Sequence, residues 1–162
     1  MAKMTMVQAL NLALRQEMEK DDRVLVLGED VGKDGGVLRV TDNLIDRFGE
    51  DRVIDTPLAE SGIVGMSIGM ALYGLRPVCE IQFSGFSYQA FHQIENHAAR
   101  MRWRSQGRFQ VPMVLRTPYG GGVRALEHHS ESREVYYAHT PGLKMVIPSG
   151  PRNARALLVS AI

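Results

Sequence analysis

The chain has 162 residues, a hydrophobic fraction of 44%, and 19 lysines and arginines against 18 aspartates and glutamates. This length and composition are typical of a single globular domain and exclude a disordered chain. The formal net charge of +1 gives no electrostatic reason to bind nucleic acid or an anionic membrane. The single cysteine, Cys79, excludes an internal disulfide, and the longest uncharged stretch, 61–75, is too short for a membrane span. We therefore expect a soluble, cytoplasmic domain.

Predicted helices and strands alternate along the sequence. Thr5 and Gln8 have the spacing of a capping box at the start of the first helix, whose apolar face carries Val7, Leu10, Leu14 and Met18. Short apolar runs predict buried strands at residues 23–27, 52–54, 77–83, 112–116 and 143–147. Helical patterns lie at residues 41–48, 60–73, 88–104, 134–138 and from 151 onward. This alternation predicts an α/β fold of three layers, a mainly parallel sheet with helices on both faces.

Glu60 is the most informative residue for function. Ligands of such a sheet bind beyond the carboxyl ends of the strands. The segments predicted to lie there are residues 28–30, 55–60, 82–86 and 116–132. Glu60 follows a strand and precedes an apolar helix rich in small residues, where a solvated carboxylate is unusual. It is either a charge that stabilises the helix N-terminus or a functional acid.

The helix predicted after Glu60 carries Gly62, Gly65 and Gly69. Glycine costs about 1 kcal/mol relative to alanine inside a helix. Several glycines in one helix therefore indicate that another helix approaches closely, at a subunit or domain interface. The arginine-rich stretch around Trp103 is interpreted as a helix end that contacts a partner chain rather than as a nucleic-acid site.

The loop 119–132 is rich in glycine and polar residues and contains the adjacent pair His128 and His129. Adjacent side chains tend to point apart, so at most one of the two is expected to enter a site, and a lone loop histidine is otherwise a surface residue. No third ligand stands at a standard metal-binding spacing. The glycines match neither the dinucleotide fingerprint nor a P-loop, which leaves a nicotinamide or ATP function without support.

Several strings of the sequence, taken together and in order, resemble one family. They are residues 28–32 (GEDVG), 55–60 (DTPLAE), 80–83 (EIQF), 101–105 (MRWRS), 120–122 (GGG), 129–132 (HSES) and 141–148 (PGLKMVIP). The sequence resembles the beta subunit of thiamine diphosphate-dependent 2-oxo acid dehydrogenases over residues 4–162. The resemblance implies the thiamine diphosphate-binding fold and, within it, the pyrimidine-binding domain.

Family beta subunits are longer than this chain, which stops at Ile162 inside its last predicted helix. We therefore expect residues 1–162 to be a piece of a beta subunit, the pyrimidine-binding domain truncated before its last strand and without the carboxy-terminal domain. By itself, such a piece is expected to be inactive.

The resemblance implies oxidative decarboxylation of pyruvate, or of a branched-chain 2-oxo acid, with reductive acylation of lipoyl groups. Family enzymes are α2β2 heterotetramers, in which the alpha subunit holds the cofactor diphosphate and its magnesium through a Gly-Asp-Gly motif that this sequence lacks. A lipoyl-bearing acyltransferase is the second implied partner. The alternatives are an acetoin dehydrogenase, a transketolase-type enzyme, or an inactive dimerisation module.

The resemblance also implies roles for individual residues at the cofactor. Glu60 matches the glutamate that bonds the aminopyrimidine ring, where a protonated carboxyl favours the imino tautomer and apolar neighbours such as Leu58 keep the proton in place. Phe86 matches an aromatic residue that stacks on the same ring. Glu29 lies near the cofactor and belongs to a proton path.

Two further assignments come from the resemblance. His129 matches a histidine that binds the 2-oxo acid and assists transfer of the acyl unit, with His128 as the alternative. A structural potassium ion is implied at backbone carbonyls, those of Val111, Met113, Val114 and Ala161.

Overall fold

A computed structural model describes residues 3–162. In this part of the chain the α-helices are α1 (Met6–Lys20), α2 (Leu44–Phe48), α3 (Glu60–Leu72), α4 (Met101–Arg104), α5 (Glu134–Ala138) and α6 (Pro151–Ala161). The strands are β1 (Val24–Gly28), β2 (Val53–Asp55), β3 (Arg76–Glu80) and β4 (Val114–Arg116). Two 3-10 helices, Ser84–Tyr88 and Gly121–Val123, and a π-helix, Gln93–Ala98, lie in the connections. No helix within residues 3–162 combines the length and the apolar character that a membrane crossing requires.

The strands form one parallel sheet in the order β2-β1-β3-β4. β1 lies inside the sheet and all of its residues are buried. Its last residue, Gly28, is in register with Asp55 of β2 and with Glu80 of β3, and Glu80 is in register with Arg116 of β4. The carboxyl ends of the strands therefore meet at one edge of the sheet.

Alternate residues of the strands feed two separate hydrophobic cores. Val24 and Val26 of β1 face a first core with α1, α2 and α6, whereas Leu25 and Leu27 face a second core with α3 and the π-helix. A strand buried on both faces reads as a continuous apolar run rather than an alternating one. The three-layer α/β fold predicted from the sequence is confirmed.

Helix α1 begins as its sequence predicts and packs along α6. Thr5 and Gln8 form both hydrogen bonds of the capping box. The side chain of Gln16 accepts a hydrogen bond at 2.6 Å from Arg155 of α6, which lies 139 residues later in the sequence. The carboxyl end of α1 is held by Arg52, whose Nη2 donates to the carbonyl of Met18 at 2.8 Å. The first and last helices described thus cover the same face of the sheet.

Residues 88–104 do not form the single helix that the sequence predicts. The N–H of Ala99 donates to the carbonyl of Ile94 at 2.9 Å, a five-residue spacing, whereas the N–H of Arg104 donates to Arg100 at 2.9 Å, a four-residue spacing. The register of the backbone hydrogen bonds therefore changes along the segment, and a π-helix and the short α4 replace one helix. The side of the segment predicted to be buried is still buried, since Ile94 lies in the second core.

The strand predicted at residues 143–147 is wrong. Leu143 packs against the second core, but Val146 and Ile147 are exposed, and the segment pairs with no strand within residues 3–162. A strand requires a hydrogen-bonded neighbour, and β4, at the edge of the sheet, pairs only with β3 among the residues described. The apolar run is extended chain packed beside the sheet.

Candidate functional site

The loop that follows β1 is tied to the ends of β2 and β3. The carboxylate of Asp55 accepts hydrogen bonds from the N–H groups of Gly32 at 2.6 Å and Lys33 at 3.2 Å. The side-chain amide of Gln82 donates to the carboxylate of Asp30 at 2.8 Å. These contacts join three of the segments predicted to line the ligand site, so the carboxyl edge of the sheet forms one connected surface.

Glu29 and Glu60 form a buried acidic pair at this edge. Glu29 directly follows β1 and is 6% exposed, and Glu60 is the first residue of α3 and is 5% exposed. Neither carboxyl finds a hydrogen-bond donor within residues 3–162. Burial raises the pKa of the Glu29 carboxyl above its usual value, and the negative charges of Glu60 and Asp30 raise it further. The arrangement therefore opposes the charged form of Glu29.

Of the two interpretations of Glu60 left open by the sequence, the geometry favours a functional acid. A carboxylate that only balances the helix dipole is best placed in solvent, where it carries no desolvation cost. Glu60 stands at the start of α3 but is 5% exposed and lies beside the carboxyl of Glu29, rather than in solvent. Such an arrangement is typical of acids that take part in proton transfer.

An aromatic cluster of Phe83, Phe86, His128 and His129 lies at the end of β3. The ring of His129 packs between two phenylalanines, with its centroid 4.8 Å from that of Phe83 and 5.0 Å from that of Phe86. The ring of His128 lies 6.1 Å from that of Phe86. Both histidines therefore approach Phe86, whereas the sequence predicts that adjacent side chains point apart. The reason is the left-handed backbone of His128, with φ of 71°, which turns the two side chains to the same side.

The histidine loop reaches this position because Gly85 has no side chain. A Cβ atom at Gly85 would lie 2.3 Å from the carbonyl oxygen of His128. On either side of the contact, Ser84 binds the loop, since its hydroxyl donates to the carbonyl of Glu131 at 2.6 Å and its N–H donates to that of Pro118 at 3.0 Å. Local sequence at 84–85 thus fixes where residues 118–131 run.

Leu58 and Ile63 differ in their surroundings. Leu58, which the resemblance places near the cofactor, is 80% exposed, whereas Ile63, one turn into α3, is 2% exposed. Ile63 is therefore the apolar residue that this chain itself buries near Glu60. Leu58 presents an uncovered apolar surface two residues before Glu60, and its contact with the cofactor stays a prediction.

Sequence reasoning missed Phe83 and Arg133. Phe83 forms one wall of the aromatic cluster. Arg133 is 7% exposed, with its guanidinium carbon 3.2 Å from the ring centroid of Tyr88 and 4.2 Å from that of Tyr136. Tyr88 is distant in the sequence and no local pattern pairs it with Arg133. The only available signal was the aromatic pair Tyr136 and Tyr137, which begins three residues after Arg133.

The glycines of α3 lie on a surface that the chain leaves largely uncovered. Gly62 and Gly69 are exposed, and a Cβ at Gly69 would meet no atom within 4 Å. Large apolar side chains nearby in sequence and at α4 are also exposed, Tyr73 at 89% and Trp103 at 88%. The π-helix approaches α3 at Gly65, where a Cβ would lie 3.7 Å from the side chain of Gln93, whereas a second helix within residues 3–162 does not cover Gly69.

The carbonyl groups assigned to potassium come from residues before and in β4 and from the end of α6, and Val111 and Met113 pack against the second core. Val114 of β4 and the end of α6 pack against the first core. Ala161 is the last residue of α6, so its carbonyl lies outside the hydrogen-bond ladder of the helix. The carbonyl of Val111 accepts the N–H of Met113 at 2.9 Å. The potassium site stays a prediction, and no cluster of three metal-binding side chains occurs in the described part of the chain.

Together, the sheet, its two helical layers and the acidic and aromatic groups beyond the strand ends define an α/β protein whose candidate ligand site lies at the carboxyl edge of a parallel sheet. The chain belongs to the family of transketolase pyrimidine-binding domains, which matches residues 2–162.

Curated relatives agree with this membership, and a solved structure shares the fold. The chain is 56% identical over 162 residues to the pyruvate dehydrogenase E1 component subunit beta of Acholeplasma laidlawii, and 55% identical to that of Bacillus subtilis strain 168. Each match covers 100% of this chain and 50% of the relative, so the chain spans about half the length of these curated relatives. The structure of a split-gene transketolase, an inactive beta4 tetramer, superposes with a TM-score of 0.74 over 99% of this chain and 48% of that chain, at 18% identity. The resemblance inferred from the sequence strings is confirmed.

Proposed function

We propose that this chain is the pyrimidine-binding part of the beta subunit of a 2-oxo acid dehydrogenase. The complete enzyme would catalyse thiamine diphosphate-dependent oxidative decarboxylation of pyruvate, or of a branched-chain 2-oxo acid, with reductive acylation of lipoyl groups. The names of the relatives support this reaction. The observation that supports a direct role for this chain is the buried carboxyl of Glu60 beside Glu29.

Glu60 and Phe86 fit the pyrimidine ring of thiamine diphosphate. A buried carboxyl without a partner among residues 3–162 suits a ring nitrogen, and Phe86, half-buried in the aromatic cluster, offers a flat apolar face. Leu58 and Glu29 would complete the contacts of this chain. When bound, the cofactor supplies the electron sink for decarboxylation.

In this function, Glu60 holds a proton and shares it with the ring nitrogen. Because the side chain is almost fully buried, water competes little for that hydrogen bond. Glu29, whose pKa is raised by burial and by the charges of Glu60 and Asp30, provides a second carboxyl that can carry the proton. The two carboxyls together keep an acid available at a position where a single exposed glutamate would be ionised.

His129 is proposed to bind the 2-oxo acid and to assist transfer of the acyl unit to a lipoyl group. Its ring is fixed between Phe83 and Phe86, and its Nδ1 lies 3.3 Å from the carbonyl oxygen of Glu127. If Nδ1 donates to that carbonyl, Nε2 is left as the atom that meets the substrate. His128 remains the alternative.

The partners of the chain follow from what it lacks and what it exposes. An alpha subunit, in an α2β2 heterotetramer, would hold the diphosphate and magnesium, because the Gly-Asp-Gly motif is absent from this sequence. The uncovered glycine side of α3 and the exposed Trp103 support contact with another chain. A lipoyl-bearing acyltransferase, potassium at the carbonyls of Val111, Met113, Val114 and Ala161, and a cytoplasmic location complete the proposal.

The decisive experiment replaces Glu60 by glutamine in the complete beta subunit assembled with its alpha partner. We expect hydrogen–deuterium exchange at the thiazolium carbon of the cofactor to slow by about 10²–10⁴-fold, the usual contribution of a positioned acid–base group. Sedimentation should show an intact assembly. Glu50→Gln, at an exposed position, is the control and should exchange at the wild-type rate. Wild-type exchange in Glu60→Gln would remove Glu60 from the mechanism.

The substrate is tested separately. The assembled enzyme is given pyruvate, branched-chain 2-oxo acids, acetoin or a ketose phosphate, each with a lipoyl acceptor. We expect acylation of the lipoyl group from a 2-oxo acid. Turnover of acetoin or of the ketose alone would contradict the proposed reaction while leaving the role of Glu60 intact.

A further inference from the structure

We propose that Arg133 and Glu131 are positioning residues that set the orientation of His129 by holding the backbone of His128. This inference rests on the proposed function only in assigning a reaction step to His129. The arrangement itself consists of an arginine fixed between two tyrosines, a glutamate that bridges it to His128, and a strained backbone at His128.

The guanidinium of Arg133 is held by two aromatic rings in addition to its ion pair with Glu131. Its guanidinium lies over the rings of Tyr88, in the 3-10 helix after β3, and Tyr136, in α5. Stacking on two rings from different elements suits the planar guanidinium and fixes its position. With the residue 7% exposed, this is a buried anchor rather than a mobile surface charge.

Glu131 connects this anchor to His128. Its Oε2 lies 3.5 Å from Nη1 of Arg133, and its Oε1 accepts the N–H of His128 at 3.2 Å and lies 3.6 Å from the Nδ1 of the same residue. Its backbone carbonyl accepts the hydroxyl of Ser84 and the N–H of Gly120. The backbone carbonyl and the carboxylate of Glu131 are therefore both held by contacts. The carboxylate links Arg133 to His128, which are not neighbours in the sequence.

His128 needs such support because its backbone is left-handed. A φ of 71° is unfavourable for a residue with a side chain and is maintained only where the surroundings enforce it. The peptide that leaves His128 aims the next residue, so this φ directs the ring of His129 between Phe83 and Phe86. Without the bond from Glu131 to the N–H of His128, the backbone is free to return to an extended conformation, which turns His129 out of the aromatic cluster.

The test uses Glu131→Ala, Arg133→Met and the double variant in the complete beta subunit assembled with its alpha partner. The first readout needs no activity: the ring-proton resonance of His129, in protein labelled at histidine, is shifted in the wild type by the two phenylalanine rings. We expect this shift to be lost in each variant. The resonance is assigned with His129→Gln.

The second readout is kinetic. We expect transfer to the lipoyl acceptor to fall by roughly 100-fold, the scale of a small misplacement of a reacting group. Exchange at the thiazolium carbon, which depends on Glu60, should stay at the wild-type rate. The double variant should be no worse than either single variant, because both remove the same connection. Glu131→Gln keeps an acceptor for the N–H of His128 and should restore much of the transfer rate.

Arg124→Met, an exposed arginine of the same loop, is the control and should leave both readouts unchanged. If Arg133→Met does not fold, Glu131→Ala decides, because the side chain of Glu131 is 26% exposed and tolerates truncation. A His129 resonance that keeps its wild-type shift in Glu131→Ala, with wild-type transfer, would overturn the inference. A failure of the Glu60→Gln prediction would instead overturn the proposed function and leave the resonance test valid.

Discussion

The carboxylate of Glu80 pairs with the guanidinium of Arg116 between β3 and β4, with 3% and 12% of the two side chains exposed. The residues are in register in the parallel ladder, so neighbouring strands present them to each other at the carboxyl edge. Burial lowers the pKa of Arg116 to about 10. The loop that follows β1 closes over the pair, since a Cβ at Gly36 would lie 3.2 Å from Oε1 of Glu80.

Removing one member of this pair should be more damaging than removing both. Arg116→Met leaves a buried carboxylate without a partner and should lower the free energy of unfolding by about 3–5 kcal/mol, whereas a double change of Glu80 and Arg116 to methionine should recover most of the loss. Urea denaturation of the full-length chain measures both values. Arg108→Met, at an exposed position, should have little effect. A double variant as unstable as the single one would contradict the assignment of the loss to an unpaired charge.

Glu29 should make stability depend on pH in a defined direction. Because its pKa is raised above 4.5 in the folded state, the folded protein binds more protons than the unfolded chain between 4.5 and the folded value, and stability falls as pH rises through that window. Glu29→Gln cannot ionise and should therefore gain stability relative to the wild type as the pH increases above 4.5. Denaturation curves from pH 4 to pH 8 measure the difference.

Glu50→Gln is the matched control for Glu29, because it removes a carboxyl at an exposed position. Its stability difference from the wild type should change little over the same range. A parallel pH dependence for Glu29→Gln and the wild type would mean that the Glu29 carboxyl is not desolvated.

Gly85→Ala should displace the histidine loop. The added Cβ would lie 2.3 Å from the carbonyl oxygen of His128, closer than real Cβ contacts, so the loop must move or the backbone must distort. We expect a loss of about 1–3 kcal/mol, typical of overpacking, together with a change in the His129 ring resonance. Gly122→Ala, where a Cβ meets no atom within 4 Å, serves for comparison. Equal behaviour of the two variants would rule out a tight contact at Gly85.

Features decided by a few neighbouring residues could be predicted from the sequence. The capping box of Thr5 and Gln8, the end of α2 at Gly49 and the proline at the start of α6 each depend on local backbone chemistry. The continuous apolar run of β1 likewise identified a strand covered on both faces, because no polar residue interrupts it.

Features that depend on hydrogen-bond partners elsewhere could not be predicted. The spacing of apolar residues in 88–104 indicates which side of the segment is buried. It does not reveal that the backbone hydrogen bond to the carbonyl of Ile94 spans five residues instead of four. The run at 143–147 has the composition of a strand but pairs with none in the described part of the chain.

The residues of the candidate site also differ in whether the sequence alone could identify them. Glu60 was identifiable because its position between a strand and an apolar helix is anomalous for a carboxylate. Arg133 and Glu131 were not, because their importance depends on Tyr88 and on the left-handed φ of His128, which no neighbouring residue signals.

The packing of α1 along α6 has a consequence for biosynthesis. Gln16 and Arg155, which join the two helices, lie 139 residues apart, and a ribosome adds roughly 5–20 residues per second. The part of α1 that packs on α6 is therefore uncovered for on the order of ten seconds after the helix emerges from the ribosome. During this interval, chaperones or other nascent chains can bind this part of α1. The interval ends when α6 is synthesised and packs on α1.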